Sequence, residues 1–264
     1  MEEPAVLVQI DDHVARLTLN RPDRHNSVGS AMVEGLMAAI AGLYRAQDVR
    51  CAIVSGAGRS FCSGADLKER QGMETDAVRR FVTQMRDTIT ALAELPFPTI
   101  AAVHGLALGG GCEVALACDL RLIHSQAKIG LTEVSWAIIP GAGGTQRLAR
   151  LVGPGKAKEL IFTATQLSGS EAATIGLANH AVEGADPQEA VLAAADAMAR
   201  RIAHMGPVAV RQAKRAINYG LGSHHMADGL AFEWQCYEAV LPTQDRLEGL
   251  AAFAEKRAPQ YKGE

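Results

Sequence analysis

Two glutamates stand alone in apolar, glycine-rich surroundings. Glu113 follows glycines 109–111 and is the only charged residue between positions 105 and 118. Glu133 has mostly apolar neighbours and precedes a loop, residues 140–144, that contains three glycines. A carboxylate is costly to bury unless it is paired or functional, so both are candidates for acid/base catalysis. The alternatives are that Glu113 complements a helix dipole or meets a buried arginine, and that Glu133 is exposed at a strand end.

A third stretch, residues 58–70, combines a glycine-containing loop with a helix start. The small residues 62–65 suit a backbone wall against a ligand, and Asp66 is placed to cap a helix that starts near Leu67. The alternative is an ordinary surface turn. Cys62 has no identifiable histidine partner, which favours a buried thiol over a nucleophile. The glycine-rich stretches match neither a Walker A loop nor a convincing dinucleotide-binding fingerprint.

These stretches must be positioned by alternating strands and helices. Apolar patterning predicts strands at residues 6–10, 14–19, 51–54 and 99–103, and helices over residues 30–46 and around residues 81–92. Alternation of this kind indicates an α/β fold. Residues 140–144 are expected to lead into a helix capped by Thr145. After about residue 190 the strand-like runs end and only helical periodicity remains.

Composition excludes several classes of protein. The chain has 264 residues, a net charge of −3, 48% hydrophobic residues and 26 glycines. This mix is typical of a globular protein and lacks the overall basic character of a nucleic-acid binder. Five cysteines without a CxxC pair argue against a disulfide scaffold or a thiolate metal site, and no metal site is predicted. The acidic start and the short apolar runs predict neither a signal peptide nor a membrane span, so a cytoplasmic location is expected.

The three stretches, in this order and spacing, resemble the crotonase superfamily, also called the enoyl-CoA hydratase/isomerase family. The resemblance runs from residue 19 to residue 257. Segments 64–70, 137–140, 158–162, 245–250 and 261–264 are most similar to the branch that contains 3-methylglutaconyl-CoA hydratase.

The resemblance implies a two-part architecture. Residues 1–195 would form a crotonase-like α/β spiral of strand–strand–helix units that holds the acyl-CoA site. Residues 196–264 would form a helical C-terminal trimerisation region, giving a homotrimer or a dimer of trimers.

The resemblance also implies a reaction, the syn addition of water to a short or branched 2-enoyl-CoA to give a 3-hydroxyacyl-CoA. The backbone N–H groups of Ala65 and Gly110 would polarise the thioester carbonyl. Glu113 would hold and deprotonate the attacking water, and Glu133 would deliver a proton to the α-carbon. The N–H of Gly141 would help to hold the water.

The same resemblance implies where coenzyme A binds. Coenzyme A is part of the substrate, so no separate cofactor is expected. Phe253 and Lys256 would reach the ligand of an adjacent subunit. The full set of predicted contacts is Arg24, His25, Ala65, Asp66, Leu67, Lys68, Gly110, Phe253 and Lys256.

Three other functions compete with hydration. Isomerases of this family typically keep one of the two glutamates, so the pair Glu113 and Glu133 favours a hydratase. An RNA-binding relative has a lysine-rich helix, whereas residues 31–48 here contain no lysine and only Arg45 as a basic residue, which argues against RNA binding. A scaffold without catalysis is disfavoured because both carboxylates are present. Trp136 departs from the family pattern, either narrowing the acyl pocket or packing against the next layer.

Overall fold

A computed structural model describes residues 3–264 of the chain, and this part contains nine strands and eleven helices. The strands are β1 (Val6–Asp11), β2 (Val14–Leu19), β3 (Cys51–Gly56), β4 (Thr99–Val103), β5 (Leu106–Leu108), β6 (Leu120–His124), β7 (Lys128–Gly130), β8 (Leu167–Ser168) and β9 (His180–Val182). The helices are α1 (Ser30–Arg45), α2 (Leu67–Arg70), α3 (Thr75–Ala93), α4 (Gly110–Ala117), α5 (Gly144–Val152), α6 (Pro154–Phe162), α7 (Gly169–Thr174), α8 (Pro187–Ala203), α9 (Pro207–Gly222), α10 (Met226–Glu238) and α11 (Gln244–Glu255). Short 3-10 helices span Pro22–Arg24 and Glu133–Trp136.

Two sheets organise the first part of the chain. The larger has the order β1-β2-β3-β4-β6-β9 and the smaller the order β5-β7-β8. β1 and β2 pair antiparallel, and the remaining neighbours of the larger sheet pair in parallel. β4 and β6 are each followed by a strand of the smaller sheet, β5 and β7, and then by helices. This repetition is the predicted spiral of strand–strand–helix units, and the α/β fold is confirmed.

The two central strands of the larger sheet, β3 and β4, are covered on both faces and are buried at every position. Alternate residues of a strand point to opposite faces. In β3, Ala52 and Val54 belong to the apolar cluster shared with α1 and α3, whereas Cys51 and Ile53 pack with α8. Helix α4 is buried along its whole length, Glu113 included. A helix that is apolar all round is stable only inside a core, which fixes Glu113 in a desolvated position.

The start of α5 corrects one expectation. The helix begins at Gly144, its N-cap is Gly143, and no side chain caps it. Thr145 is therefore the second residue of the helix, and the prediction that it caps α5 is wrong. The physical reason is that the Gly144 N–H, which a cap would otherwise help to satisfy, donates to the carboxylate of Glu113.

The C-terminal helices connect to the core in two ways. Helix α8 packs on the sheet and runs through residue 195, so the predicted boundary between residues 1–195 and 196–264 falls inside one helix, and the division into two regions stays a prediction. Helix α9 is held by Lys214, whose Nζ lies 2.7 Å from Oδ2 of Asp119. Helix α10 packs on α9. Within residues 3–264, no helix is both long and apolar enough to cross a bilayer.

A cavity of about 640 Å³ lies between α9 and the C-terminal end of α4. Its lining includes Leu116, Lys214 and Ile217 and excludes both glutamates. The cavity is thus separate from the paired carboxylates, and the chemistry must be sought at the opposite, N-terminal end of α4.

Candidate active site

The stretch of residues 58–70 and the stretch that leads to Glu113 lie side by side. Cys62 pairs in parallel with Ala107, and the N–H of Cys62 donates to the carbonyl of Leu106 at 2.8 Å. Ala65 lies three residues past Cys62, and Gly110 lies three residues past Ala107. Because the two segments run parallel, Ala65 and Gly110 lie on adjacent segments of the backbone.

Gly64 allows this close approach. Its φ of +99° lies in the left-handed region, and a Cβ atom at this position would come within 2.7 Å of the Leu108 carbonyl oxygen. Only glycine tolerates both conditions without strain. The glycine thus keeps the backbone before Ala65 against the turn that leads into α4.

Two backbone N–H groups at this junction remain without acceptors. The N–H of Val28 donates to Gly64 and the N–H of Asp66 donates to Val28, so the residues on both sides of Ala65 are used. Neither the Ala65 N–H nor the Gly110 N–H donates to any group in residues 3–264. Gly110 is the first residue of α4, where helical N–H groups have no intrahelical partner. Two such donors suit a carbonyl oxygen that develops negative charge.

Glu113 lies one turn into α4 with one carboxylate oxygen fixed. Its Oε1 accepts hydrogen bonds from the N–H groups of Ala142 (2.7 Å) and Gly144 (2.8 Å). Burial raises the pKa of Glu113, while these two hydrogen bonds and the charge of Arg147 oppose the rise. No group of residues 3–264 donates to Oε2, so this oxygen is the one available for a water molecule.

Glu133 lies in the short 3-10 helix and faces the start of α4. A Cβ atom at Gly109 would stand 3.5 Å from its Oε1, which places the carboxyl group against the glycine turn. Both oxygens are buried, and no other residue in the described part of the chain donates to them. Burial, and then the negative charge of Glu113, raise the pKa of Glu133 to about 7. Two carboxyl groups in such different environments can act as base and acid.

The loop after Glu133 supplies two N–H groups that bind Glu113, and neither belongs to Gly141, the residue that the family resemblance implies for holding water. Gly141 is exposed, and its N–H has no acceptor within residues 3–264, so its predicted contact with water stays a prediction. The N–H groups that bind Glu113 belong to Ala142 and Gly144, which sequence reasoning missed. The available signal was Gly143, whose φ of +101° turns these N–H groups toward one point.

The predicted coenzyme A contacts before and after Ala65 come together. Asp66 caps α2 by accepting from the N–H of Glu69 and lies 3.1 Å from Nη1 of Arg24. Burial opposes ionisation of Asp66, but the Glu69 N–H and the Arg24 guanidinium outweigh it and lower its pKa. Leu67 and Lys68, the first residues of α2, are exposed.

His25 joins the same group through the loop before α1. Its φ is +50°, its Nδ1 lies 3.1 Å from Oγ of Ser60, and its carbonyl accepts from the N–H of Ser63. These contacts connect His25 to residues 60–63, the segment that leads to Ala65.

Phe253 and Lys256 are not brought to this group within the chain. Phe253 is 86% exposed on α11, and Lys256 follows the end of that helix. Asp245 ties α11 to the C-terminal tail through the N–H groups of Lys262 and Gly263. The predicted contact of Phe253 and Lys256 with an adjacent subunit's ligand stays a prediction.

Helix α3 contributes residues that sequence reasoning missed. The end of the Met85 side chain lies against Gly110, where a Cβ atom would overlap with it. One turn earlier, the ring of Phe81 lies 5.2 Å from the guanidinium carbon of Arg70. Nη1 of Arg70 is buried and has no hydrogen-bond partner within residues 3–264. This cation was not predictable from the sequence, because an arginine in a short polar helix is typical of a surface.

Comparison with known proteins places this geometry in a family. The model of the family described as "Enoyl-CoA hydratase/isomerase" matches residues 9–264. The chain is 49% identical over 249 residues to the mitochondrial methylglutaconyl-CoA hydratase of Homo sapiens, covering 94% of this chain and 73% of that protein. It is 48% identical to the mitochondrial enoyl-CoA hydratase domain-containing protein 2 of Bos taurus, covering 95% of this chain and 85% of that protein.

A solved structure extends the likeness to three dimensions. The crystal structure of an enoyl-CoA hydratase from Bacillus anthracis superimposes with a TM-score of 0.94 at 46% identity, covering 98% of this chain and all of that chain. The predicted crotonase resemblance is therefore confirmed, and the chain is an enzyme that belongs to the enoyl-CoA hydratase/isomerase family.

Proposed function

We propose that the enzyme adds water to the double bond of a short or branched 2-enoyl-CoA and releases a 3-hydroxyacyl-CoA. The observation that carries this proposal is the presence of two buried glutamates in different environments. One oxygen of Glu113 is held by two backbone N–H groups, and burial raises the pKa of Glu133 to about 7. Hydration needs one base for the water and one acid for the α-carbon, and the two environments supply them.

The Ala65 and Gly110 N–H groups stabilise the charge that develops during addition. Water adds to the β-carbon only if the electrons of the double bond can move to the thioester oxygen as an enolate. Donors aimed at that oxygen form an oxyanion hole, and each contributes about 3 kcal/mol or more to lowering the barrier. Both N–H groups lack an acceptor within residues 3–264, which leaves them available to the substrate.

The proton transfers divide between the two glutamates. Ionised Glu113 takes a proton from water through Oε2, and the resulting hydroxide equivalent attacks the β-carbon. Protonated Glu133 gives its proton to the α-carbon, which collapses the enolate to the saturated thioester. Gly141 contributes its N–H to the water. Each transfer is balanced by the exchange of one proton with solvent after the product leaves.

Coenzyme A binds as part of the substrate along Arg24, His25 and residues 65–68, and the reaction uses no other cofactor. Arg24 and Lys68 supply positive charge to this binding surface, although Arg24 also pairs with Asp66. Phe253 and Lys256 would approach the same ligand from a neighbouring subunit, as the family resemblance implies.

Two residues bear on the identity of the acyl chain. A 3-methylglutaconyl chain, named for the human relative, carries a second carboxylate at its far end. Arg70 offers an unused guanidinium nitrogen on the α2–α3 side of Gly110, which suits such a carboxylate. Trp136 is 62% exposed, so it does not pack against a further layer of this chain and is free to border the acyl pocket.

The C-terminal helices supply the proposed trimer contacts. Large apolar side chains are exposed on α9, α10 and α11, a pattern that marks an interaction surface. They include Ile217, Leu221, Met226, Leu230, Trp234, Leu250 and Phe253. We propose a homotrimer or a dimer of trimers, and light scattering that reports a monomer would contradict it.

The test is a panel of unsaturated acyl-CoA thioesters that includes crotonyl-CoA and 3-methylglutaconyl-CoA. Hydration abolishes the absorbance of the conjugated enone and adds the mass of one water to the product. The alternative, an isomerase, would shift the double bond without a gain in mass. If no member of the panel gains water, the hydratase proposal is wrong.

A further inference from the structure

Arg147 joins the loop that holds Glu113 to helix α5. Its Nη1 donates to the carbonyl oxygen of Ala142 at 2.9 Å, and its backbone N–H donates to the carbonyl of Gly143 at 2.9 Å. Both ends of the residue thus fasten the turn of residues 142–144 to the first turn of α5.

The turn has no room for a larger residue beneath the guanidinium group. A Cβ atom at Gly143 would overlap with Nη1 of Arg147, and the φ of Gly143 is +101°. The guanidinium therefore packs directly on the backbone of the turn, and its position depends on Gly143.

The fastened turn is the one that anchors Glu113. The carbonyl oxygen of Ala142 accepts a hydrogen bond from Arg147. The N–H groups of Ala142 and Gly144 both donate to Oε1 of Glu113. A shift of this turn would release Oε1 and let the carboxylate rotate. Reactive groups displaced by about 1 Å lose on the order of 100-fold in rate.

The charges around these groups make the role electrostatic as well. Arg147 on α5 favours the ionised form of Glu113. Besides burial, the negative charge of Glu113 raises the pKa of Glu133 and of the Cys112 thiol. Arg147 in turn faces Glu94, which follows α3, and Cys118, which follows α4.

We propose that Arg147 is a positioning residue for hydration: it fixes the 142–144 turn on Oε1 of Glu113, so that Oε2 alone takes the proton from water. This inference rests on the proposed function, because it gives Glu113 the role of base. Arg147 acts through its hydrogen bond to the Ala142 carbonyl, not on the reacting atoms.

The experiment replaces the guanidinium with a neutral side chain in the full-length enzyme. For Arg147→Gln, kcat at pH 7.5 falls about 10- to 100-fold while KM changes less than about threefold. The acidic limb of kcat/KM against pH moves upward by roughly 0.5 to 1 unit, because Glu113 loses a favourable cation. The direct measurement is the carboxyl ¹³C titration of Glu113, assigned with Glu113→Gln, which does not need turnover.

Two further variants control the result. Arg147→Lys keeps the charge and leaves the acidic limb within about 0.3 unit of the wild-type position. It lacks the planar guanidinium that packs on the turn, so its kcat still falls, and this kcat carries the test if Arg147→Gln does not fold. Arg150→Gln removes an exposed arginine from the same helix, one whose recorded partner is Gln146, and leaves the profile unchanged.

The possible failures are distinguishable. If the wild-type enzyme hydrates no acyl-CoA of the panel, the proposed function fails. If the wild-type enzyme is active but Arg147→Gln keeps its kcat and its acidic limb, the positioning role is overturned. A wild-type kcat in Arg147→Lys overturns it as well, since that variant retains the cation but not the guanidinium.

Discussion

The N–H of Gly144 donates to Oε1 of Glu113 across 2.8 Å and joins the start of α5 to the first turn of α4. The carboxylate thereby occupies the N-terminal end of a helix, where the helix dipole favours negative charge. A Cβ atom at Gly144 would stand 3.0 Å from the same oxygen and 2.9 Å from side-chain atoms of Leu131 and Pro140. The contact therefore requires glycine at position 144.

Glu113→Gln tests the base. The amide oxygen can still accept from Ala142 and Gly144, so the fold is retained, but the side chain can no longer take a proton. We expect kcat for enoyl-CoA hydration to fall by about 10²- to 10⁴-fold. Initial rates of enone loss measure the effect, with thermal melting to confirm folding.

The matched control for this variant is Glu34→Gln. Glu34 is an exposed glutamate on α1, so the same chemical change there leaves kcat unaltered. Unimpaired hydration by Glu113→Gln would remove Glu113 from the mechanism.

The raised pKa of Glu133 predicts how kcat/KM depends on pH on the alkaline side. Its pKa is about 7, and its role as acid requires the protonated form. The value of kcat/KM therefore falls as pH rises through about 7, and Glu133→Gln abolishes most activity at every pH. A profile that stays flat from pH 6 to 9 would contradict the assignment of Glu133 as the acid.

The same carboxyl group makes stability depend on pH. The unfolded chain releases this proton near the ordinary glutamate value, whereas the folded enzyme retains it up to about pH 7. The free energy of unfolding therefore declines between these two values, by up to about 3 kcal/mol relative to Glu133→Gln. Urea unfolding of both proteins at pH 5 and pH 8 measures the difference, and a constant difference would disprove the buried, protonated state.

Much of this arrangement was predictable from the sequence. Isolated carboxylates in apolar surroundings identified Glu113 and Glu133, because burial of charge is costly and therefore conspicuous. Periodicity predicted the early strands and helices, and Asp66 was correctly expected to cap α2. The family resemblance, rather than spacing, supplied the roles of Ala65 and Gly110.

Other parts of the site could not be predicted because they depend on backbone direction. The N–H groups that bind Glu113 belong to Ala142 and Gly144, and no side-chain pattern reports where an N–H points. Arg70 and Arg147 likewise resemble surface arginines in sequence. Their significance depends on a long-range approach to Phe81 and on a carbonyl of the preceding loop, respectively.

Gly64→Ala tests the backbone junction at the proposed oxyanion hole. The new methyl group would meet the Leu108 carbonyl oxygen at 2.7 Å, and the φ of +99° adds strain. We expect a loss of about 1–3 kcal/mol in unfolding free energy together with a lower kcat, because Ala65 is displaced. Gly72→Ala is the control, since a Cβ atom there meets nothing within 4 Å. Equal effects of the two substitutions would argue against a strained junction.

Lys214→Met tests how α9 is held on the core. Nζ of Lys214 lies 2.7 Å from Oδ2 of Asp119 and 3.0 Å from the Phe97 carbonyl oxygen, and the lysine side chain is only 8% exposed. The same Asp119 oxygen accepts from the N–H and hydroxyl of Thr99. Removal of the cation leaves Asp119 partly buried without its counter-charge, which costs roughly 2–4 kcal/mol.

The control for this ion pair is Lys158→Met, which replaces an exposed lysine on α6 and should change stability by less than about 0.5 kcal/mol. Urea unfolding measures both variants at a fixed protein concentration, because any assembly of subunits adds to apparent stability. Hydrogen exchange of α9 gives a second reading. Protection there should fall in Lys214→Met while β3 stays protected, since the ion pair joins α9 to Asp119, which binds Thr99 at the start of β4. Unchanged protection in α9 would show that its apolar contacts alone hold the helix in place.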